Sequence, residues 1–427
     1  MVAAVLFLSL AVFLILNVPV GIAIGLASVA AIVTGGGLSM GYVAQTLVSS
    51  TDSFPIMAIP LFILAGDLMG AGGVSRRILD VANVFFGRIT GGLAIVTVVV
   101  CMFFAAVSGS GPATVAAVGS MVVPTMLRAG YSKSFTLALI ATAGSIGVII
   151  PPSIPMVIFG VSTGQSISDL FLAGFGPGLL IGLGLITYCY LHSKKMGWAG
   201  DGVPYSNSRA FSAIWDAKWA LLNPFIILGG IYSGVFTPTE AAAVAAVYAF
   251  VCGVFIHREL SPKDLFKVVA GSCSTTGTTM VILGCASAFA RILTVEQVPG
   301  MVADALVQLS SNPILILLII NILLMLVGCV MDTTPAILVL APILFPVATA
   351  VGVDPIHFGI IMVVNLAIGF ITPPLGINLF VATRVGNASL STVVRGIVPF
   401  VLVMVAMLLM ITYIPGISLG LKQLITN

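Results

Sequence analysis

Residues 144–155 (GSIGVIIPPSIP) and residues 367–378 (AIGFITPPLGIN) each contain a Pro-Pro pair. Each pair lies in the middle of a long apolar stretch, 134–163 in the first case and 356–383 in the second. Two successive prolines remove two backbone hydrogen-bond donors and disfavour α-helical geometry in the residue before them. Each stretch therefore predicts a membrane-crossing helix that is broken near its middle.

A broken helix leaves backbone groups free to bind ions. The carbonyls released before the prolines belong to Ile149, Ile150, Ile371 and Thr372. With nearby hydroxyls they are hard oxygen ligands that suit a dehydrated Na⁺, and the helix N-termini after the prolines favour an anion. The alternative is an ordinary proline kink satisfied by neighbouring helices, but two matched breaks favour the broken-helix interpretation.

The two breaks belong to an internal repeat. An offset of 222 residues superposes segment 107–177 on segment 329–399 and aligns eight glycines and prolines with residues of the same type. These are Pro124, Gly130, Gly147, Pro151, Pro152, Gly164, Gly174 and Pro177. About one such coincidence is expected by chance from the Gly and Pro content, so the match indicates a duplication, a common construction in transporters.

Two further segments are unsuited to lipid-facing helices, namely residues 108–114 (SGSGPAT) and residues 328–335 (GCVMDTTP). Non-helical backbone at membrane depth is tolerated only where protein or water satisfies it. Each segment is therefore predicted to be the tip of a re-entrant helical hairpin that meets a polar cavity. The alternative is a short loop at the membrane surface.

The composition indicates an all-α polytopic membrane protein. Of 427 residues, 59% are apolar and 7% are charged, against about 25% charged in an ordinary soluble domain. At about 20 residues per crossing plus a short loop, the chain has room for about a dozen spans. The formal charge of +3 is spread thinly, so nucleic acid is not expected as a partner. The six cysteines lie in apolar stretches and are expected to be buried.

Lys and Arg collect in short cytoplasmic loops of membrane proteins. Three basic loops stand out, 72–90, 193–218 and 257–267. An even number of crossings separates each of them from the next if the first hairpin enters the membrane and returns to the same side, so all three can be cytoplasmic. The single span 269–290 then makes the second repeat enter the membrane from the opposite side. The repeats are thus predicted to be inverted, with the N- and C-termini in the periplasm. Loop 193–218 is also the predicted linker between the two halves of the chain.

Asp332 is the carboxylate that cannot reach water at a helix end if the hairpin interpretation holds. Intramembrane carboxylates are costly and usually functional. Three roles stay open for it: helix N-capping before Thr333, cation coordination, and hydrogen bonding to substrate. Asp52, Asp67 and Glu240 lie near predicted span ends and are expected to be structural.

The sequence resembles the large membrane subunit of tripartite ATP-independent periplasmic (TRAP) transporters across essentially the whole chain. The resemblance rests on residues 54–66 (FPIMAIPLFILAG), the tip 108–114, and the two breaks 149–153 (IIPPS) and 371–378 (ITPPLGIN). It implies a Na⁺-driven importer in the bacterial inner membrane. It also implies two protein partners, a small four-helix membrane subunit and a soluble periplasmic substrate-binding protein.

The resemblance implies an elevator-type fold, in which a transport domain with both hairpins and both broken helices moves against a scaffold. The expected divisions are 1–90 and 166–268 for scaffold helices, 91–165 and 312–388 for the transport elements of the two repeats, 269–311 for a connecting helix and an amphipathic segment, and 389–427 for a C-terminal scaffold helix.

Two or more Na⁺ sites are implied between each hairpin tip and the facing broken helix. By position they involve Ser108, Ser110, Ser145 and Ile149 in the first half, and Gly328, Val330, Gly369 and Thr372 in the second. Substrate contacts are assigned to Asp332, Ser108, Ser153, Thr333 and Asn378. Family substrates are small organic acids, notably C4-dicarboxylates and sialic acid, and overall similarity favours sialic acid.

The leading hypothesis is Na⁺-coupled secondary active import of an organic anion delivered by a periplasmic binding protein. A stand-alone Na⁺/carboxylate symporter is the alternative of the same class, since its fold also pairs inverted hairpins. An intramembrane enzyme such as a lipid-group transferase is less favoured, because the sequence has no cluster of His, Asp and Glu.

Overall fold

The computed structural model describes residues 2–35, 39–200, 205–309 and 312–426, and these residues form α-helices, short turns and no strand. The N-terminal part contains α1 (Val2–Ile15), α2 (Val20–Val33), α3 (Met40–Ser49), α4 (Ala58–Ala71) and α5 (Val74–Phe86). The first repeat follows as α6 (Gly92–Ser108), α7 (Gly111–Arg128), α8 (Lys133–Ser145) and α9 (Ile154–Thr163).

The middle of the chain joins the two repeats. It comprises α10 (Ile167–Met196), α11 (Asn207–Tyr232), α12 (Pro238–Val251), α13 (Pro262–Val295) and α14 (Val298–Leu309). The second repeat is α15 (Pro313–Gly328), α16 (Thr333–Ala350), α17 (Pro355–Gly369) and α18 (Ile377–Val385). The chain ends with α19 (Leu390–Tyr413) and α20 (Gly416–Thr426).

The repeat predicted from the sequence is present in the fold. Shifted by 222 residues, the start of α7 falls on the start of α16 and the end of α9 on the end of α18. The peptide bonds Pro151–Pro152 and Pro373–Pro374 are both cis. The predicted fold class is thus confirmed: a polytopic helical protein with inverted repeats, each containing a helical hairpin and a Pro-broken helix.

The broken helices form the best-shielded part of the molecule. Every residue from Phe135 to Ser145 in α8 and from Ile356 to Gly369 in α17 is buried. Since a broken helix leaves backbone polar groups unpaired, it is tolerated at membrane depth only when other helices cover it. The hairpin helices α6 and α7, together with α18 and α19, supply this cover for α8, and α15, α16 and α10 supply it for α17.

The expected number of full crossings needs correction. Six helical segments of the described residues are long and apolar enough to span a membrane alone: Phe54–Ala71, Ile167–Met196, Pro238–Ile256, Pro262–Val295, Thr333–Ala350 and Leu390–Tyr413. Several other apolar helices have only 10–17 residues. Those in the two repeats are short because hairpins turn back and broken helices divide one apolar stretch between two helices.

Three predicted loop or span boundaries also differ. The loop predicted at 72–90 contains α5, whose apolar side packs against α6 and α11. The linker predicted at 193–218 is shortened by α10 and α11, and its residues 201–204 lie outside the described part. The span predicted at 269–290 is the centre of α13, whose 34 residues extend about 51 Å. A search for apolar runs does not find these extensions of the helices, because the helix ends contain polar residues.

The prediction that all six cysteines are buried is partly wrong. Cys101, Cys189, Cys252 and Cys329 are buried, but Cys285 is half-buried and Cys273 is exposed. Cys273 lies on the outward face of α13, among exposed hydroxyl residues, so its apolar sequence neighbours do not indicate its environment.

Candidate functional site

A cavity of about 260 Å³ lies where the two hairpin tips meet α4 and α13. We call it the central cavity. The first tip contributes Ser108, Gly109, Ser110, Pro112 and Ala113, the second contributes Asp332, Thr333 and Thr334, the breaks contribute Val148, Ile154, Pro155 and Phe370, and α4 and α13 contribute Ile63, Gly66, Asp67, Thr275 and Thr279. The fold therefore brings both repeats together at one polar space.

Three helix N-termini open onto the central cavity, those of α7, α9 and α16. Each begins with a side-chain cap. The Oγ of Ser110 accepts from the Ala113 amide at 3.5 Å, the Oγ of Ser153 from the Met156 amide at 3.4 Å, and Oδ1 of Asp332 from the Thr333 amide at 2.6 Å. Because unpaired amides and the helix dipole favour negative charge, this convergence suits an anion.

The charged side chains of the central cavity favour a cation rather than an anion. Its described lining contains the carboxylates Asp67 and Asp332 and no Lys, Arg or His. An organic anion would therefore meet helix N-termini and hydroxyls, but no cationic side chain. Its charge, together with that of the two carboxylates, needs compensation from bound cations or protons.

Asp332 has one of the three roles left open by the sequence, that of a helix cap. Its Oδ1 caps α16 and also accepts from the Thr333 hydroxyl at 3.2 Å, while the side chain remains exposed to the central cavity. The capping role is thus confirmed geometrically. The carboxylate also lines the central cavity, where a ligand can reach it.

Asp67 lines the central cavity, a placement that the sequence interpretation did not predict. It was expected to be structural; it is half-buried and accepts a hydrogen bond of 2.6 Å from the Ser272 hydroxyl of α13. Thr275 and Thr279 follow on the same side of α13. The run of Ser and Thr at 272–279 within a long apolar helix was the available signal. In contrast, Glu240 is structural as expected, since it completes a capping box with Thr237.

Buried hydroxyls stabilise the first hairpin tip at the place where it touches the first break. Ser108 Oγ lies 3.0 Å from Thr114 Oγ1, and Thr114 Oγ1 donates to the Ser110 carbonyl at 2.8 Å. Gly147 of the break lies directly beneath: a Cβ there would be 2.6 Å from the Ser110 carbonyl oxygen. Three oxygens thus cluster where the tip touches the broken helix, a donor set that suits Na⁺ and that includes Thr114, which was not predicted.

The second hairpin tip meets the second break through glycine. A Cβ on Gly369 would lie 2.4 Å from the carbonyl carbon of Gly328, so the two backbones are in direct contact. The Leu375 amide donates to the Cys329 carbonyl at 3.3 Å, as the Ile154 amide donates to Gly109 at 3.4 Å in the first repeat. Each tip is therefore bonded to the segment that follows the break of its own repeat.

The remaining predicted site residues lie outside the lining of the central cavity. Ser145 and Thr372 donate their hydroxyl hydrogens to carbonyls of their own helices, Thr142 and Ile368. The Ile149 carbonyl lies against Gly174 of α10.

Ser153 is fully buried, and its hydroxyl donates to the Val148 carbonyl at 2.6 Å. Gly328 and Gly369 form the backbone contact just described, and Val330 is exposed at the tip.

Asn378 lies between the repeats rather than in the central cavity. It is fully buried at the start of α18, and its amide donates to the Ala141 carbonyl of α8 at 3.1 Å. Its Oδ1 has no hydrogen-bond partner among the described residues. A Cβ on Gly111 would be 3.3 Å from its amide nitrogen, so Asn378 packs directly under the first residue of α7.

A scan against protein-family models matches residues 7–417 to the family described as the DctM component of the tripartite ATP-independent periplasmic transporter. Among solved structures, the chain is similar to the YdaH transporter of Alcanivorax borkumensis, with a TM-score of 0.62 over 90% of each chain. The sequence identity is 16%, so this likeness concerns the fold alone.

Several curated proteins are similar over nearly the whole of this chain. The isethionate TRAP transporter permease protein DctMQ of Oleidesulfovibrio alaskensis is 52% identical over 97% of the chain, which spans 65% of that relative's length. The C4-dicarboxylate TRAP transporter large permease protein DctM of Pseudomonas aeruginosa is 45% identical over 90% of both chains. The sialic acid permease SiaM of Vibrio cholerae is 36% identical over 96% of this chain and 95% of its own.

Proposed function

Since the chain belongs to the DctM family of TRAP transporter large permeases, we propose that it imports a small organic anion by Na⁺-coupled secondary transport. Membership confirms the resemblance found in the sequence, and with the apolar helices it identifies a multi-pass membrane protein. The relatives are named as transporter permeases, which agrees with the expectation that the chain is not an enzyme.

The observation that carries the proposal is the composition of the central cavity. Three helix N-termini attract an anion there, while Asp67 and Asp332 repel it. An anion therefore binds well only together with a cation that offsets the carboxylates. This requirement supports symport, because the anion is then not stable in the site without the cation.

We assign the first Na⁺ site to the junction of the first tip with the first break. Its oxygens are the hydroxyls of Ser108 and Thr114 and the carbonyl of Ser110, with Ser145 nearby in sequence on α8. The second site pairs Gly328 and Val330 with Gly369 and Thr372 at the matching place in the second repeat. Neutral oxygens at a buried backbone break favour Na⁺ over H⁺, because none of them titrates near pH 7.

For the substrate we propose a small sulfonate or dicarboxylate. The relative named for isethionate is 52% identical and one named for C4-dicarboxylates is 45% identical, whereas the one named for sialic acid is 36% identical. This order favours a compact anion over the sialic acid suggested by overall sequence similarity. Asp332, Ser108 and Thr333 would contact it from the two tips.

The proposed assembly follows the family. A periplasmic binding protein would deliver the substrate, and a small four-helix membrane subunit would enlarge the scaffold in the inner membrane. Transport would proceed by an elevator motion of the repeats against α4, α12 and α13, with both chain termini in the periplasm. Asp67, Thr275 and Thr279 would then stay with the scaffold while Asp332 moves with the second tip.

Uptake into proteoliposomes tests the proposal. The large and small subunits are reconstituted together, and uptake of isethionate, succinate and sialic acid is measured with and without the binding protein under an inward Na⁺ gradient. We expect uptake that requires both Na⁺ and the binding protein, with isethionate or succinate preferred. Undiminished uptake in Na⁺-free buffer under a pH gradient would contradict the proposed coupling.

The stand-alone symporter remains the alternative to this assembly. The fold likeness to the YdaH transporter shows that similar architectures occur outside close sequence relatives. Full Na⁺-dependent uptake by the large and small subunits without any binding protein would favour that alternative. An intramembrane enzyme is less favoured, since the described residues hold no cluster of His, Cys, Asp and Glu that could bind a metal.

A further inference from the structure

A second polar cavity, of about 410 Å³, lies away from the central cavity, between α5, the first half of α11 and the segment after α12. We call it the interfacial pocket. It is lined by Arg76, Arg77, Asp80, Trp215, Asp216, Lys218, Trp219, Ile256, His257 and Glu259. Positive-inside counting places all three elements at the cytoplasmic surface of the membrane.

The floor of the interfacial pocket is rigidly built. Arg77 forms an ion pair of 2.7 Å with Glu259 and donates to the Gly73 carbonyl at 2.9 Å. His257 Nδ1 lies 2.9 Å from the Gly72 carbonyl. Gly73 has φ of 75°, and the Glu259 carboxylate occupies the space that a Cβ would need there. These contacts tie the α4–α5 turn to the segment after α12, so the shape of the pocket is fixed by the fold.

The walls of the interfacial pocket carry two positive and two negative groups that make no direct ion pair with any described residue. The positive groups are Arg76 and Lys218, and the negative groups are Asp80 and Asp216. The Lys218 ammonium lies 3.5 Å from the centre of the Trp215 ring. Burial lowers the pKa of His257, which favours the neutral form of its ring, so His257 does not alter the equal number of positive and negative groups in the pocket walls. Such a pocket suits a ligand with one charge of each sign.

Exposed aromatic side chains adjoin the interfacial pocket, and we call them its rim. Trp215 lines the pocket, Phe211 stacks on Trp215, and Phe255 directly precedes the lining residue Ile256. Phe211, Trp215 and Phe255 are 69%, 58% and 61% exposed. Tryptophan is enriched where hydrocarbon meets headgroups, and exposed aromatic residues at that depth contact acyl chains. A ligand with a charged head and apolar tails would therefore satisfy both the walls and the rim.

We propose that the interfacial pocket binds the headgroup of a zwitterionic phospholipid of the phosphatidylethanolamine type. Arg76 and Lys218 hold the phosphate, Asp80 and Asp216 hold the ammonium, and the acyl chains lie along the exposed aromatic residues of the rim. Bound in this way, the lipid fixes α5 and α11 at the membrane surface. The inference does not depend on the transported substrate.

Lipid titration of the delipidated full chain in detergent, followed by native mass spectrometry, tests the proposal. The wild type is compared with the double variant Arg76→Gln/Lys218→Gln and with the control Lys263→Gln/Lys267→Gln, whose lysines lie on α13 outside the pocket. We expect binding of phosphatidylethanolamine to be about tenfold weaker in the pocket variant, from the loss of two phosphate contacts. The control should bind like the wild type.

Two arms identify the ligand without relying on a variant. The wild type should bind phosphatidylethanolamine more tightly than phosphatidylglycerol, which lacks the ammonium, and Asp80→Asn/Asp216→Asn should reduce that preference. Soluble glycerophosphoethanolamine should bind far more weakly than the lipid, because the rim then contributes nothing. Equal affinity for the two lipids in the wild type, or equal affinity for the lipid and its soluble headgroup, would overturn the proposal, as would unchanged binding by a pocket variant that folds normally.

Discussion

At Asp332 one substitution can distinguish a structural role from a functional one. Asn caps a helix as well as Asp does, so Asp332→Asn should keep the bond to the Thr333 amide and leave folding intact. The lost charge faces a poorly hydrated cavity, where charge interactions are strong. We expect transport to fall at least about tenfold, about 1.4 kcal/mol. Normal uptake by a normally expressed Asp332→Asn protein would reduce Asp332 to a cap.

Replacing Asp67 should strengthen the binding of the anion, whereas replacing Asp332 should impair transport. Asp67→Asn can still accept the Ser272 hydrogen bond, but it removes a negative charge from the cavity wall. Two unit charges about 10 Å apart interact by about 1.7 kcal/mol at an effective dielectric constant of about 20, so anion affinity should rise by up to about tenfold. Equilibrium binding of substrate at saturating Na⁺ measures this. Asp52→Asn, at an exposed carboxylate outside the cavity lining, is the control. Weaker binding by Asp67→Asn would instead indicate that Asp67 holds a cation.

Ser108 and Thr114 share one oxygen cluster, so their loss should affect Na⁺ before substrate. Ser108→Ala removes one proposed ligand, and the Na⁺ concentration for half-maximal uptake should rise by several fold, about 1 kcal/mol for one lost oxygen contact. Ser120→Ala in α7, the helix that contains Thr114, is the control, since its hydroxyl donates to the Ala117 carbonyl at the exposed surface. An unchanged Na⁺ requirement in Ser108→Ala would remove this side chain from the site.

The contacts between hairpin tips and broken helices depend on glycine in both repeats. Gly369→Ala would place a methyl group 2.4 Å from the Gly328 backbone, which has no side chain that could move aside. We expect a cost of about 1–3 kcal/mol, seen as a lower unfolding temperature and a weaker Na⁺ response. Gly229→Ala in α11 meets nothing within 4 Å and should be neutral or slightly stabilising. A normal Na⁺ response and unfolding temperature in Gly369→Ala would show that the tip tolerates a wider gap.

Some helices could be predicted from the sequence and others could not. The breaks in α8–α9 and α17–α18 were predictable because a Pro-Pro pair acts locally on the backbone, whatever the neighbours. α5 was not, because its residues are polar on one face and its helix is stabilised by packing against α6 and α11. A search for apolar runs finds helices that face lipid or core on all sides and overlooks amphipathic ones.

The orientation of the whole chain can be tested by cysteine labelling in right-side-out vesicles. In a Cys273→Ser background, Asn207→Cys lies at the start of α11 and Gln423→Cys lies in α20. Positive-inside counting predicts that an impermeant maleimide labels position 423 and spares position 207 until detergent is added. Labelling of position 207 in sealed vesicles would reverse the predicted topology, and with it the side from which the central cavity is filled.

At the level of the complete molecule, the sequence alone established the membrane class, the two inverted repeats, the hairpin tips and the broken helices, and it identified Asp332 as a candidate site residue. These follow from composition, from proline chemistry and from a fixed offset, all of which act within one segment or between two copies of it. Only the tertiary structure placed Asp67, Thr275 and Thr279 in the central cavity and put Ser153 and Asn378 outside its lining. Membership of a cavity depends on how helices distant in sequence pack together, and no local pattern encodes which face of α4 or α13 meets the tips.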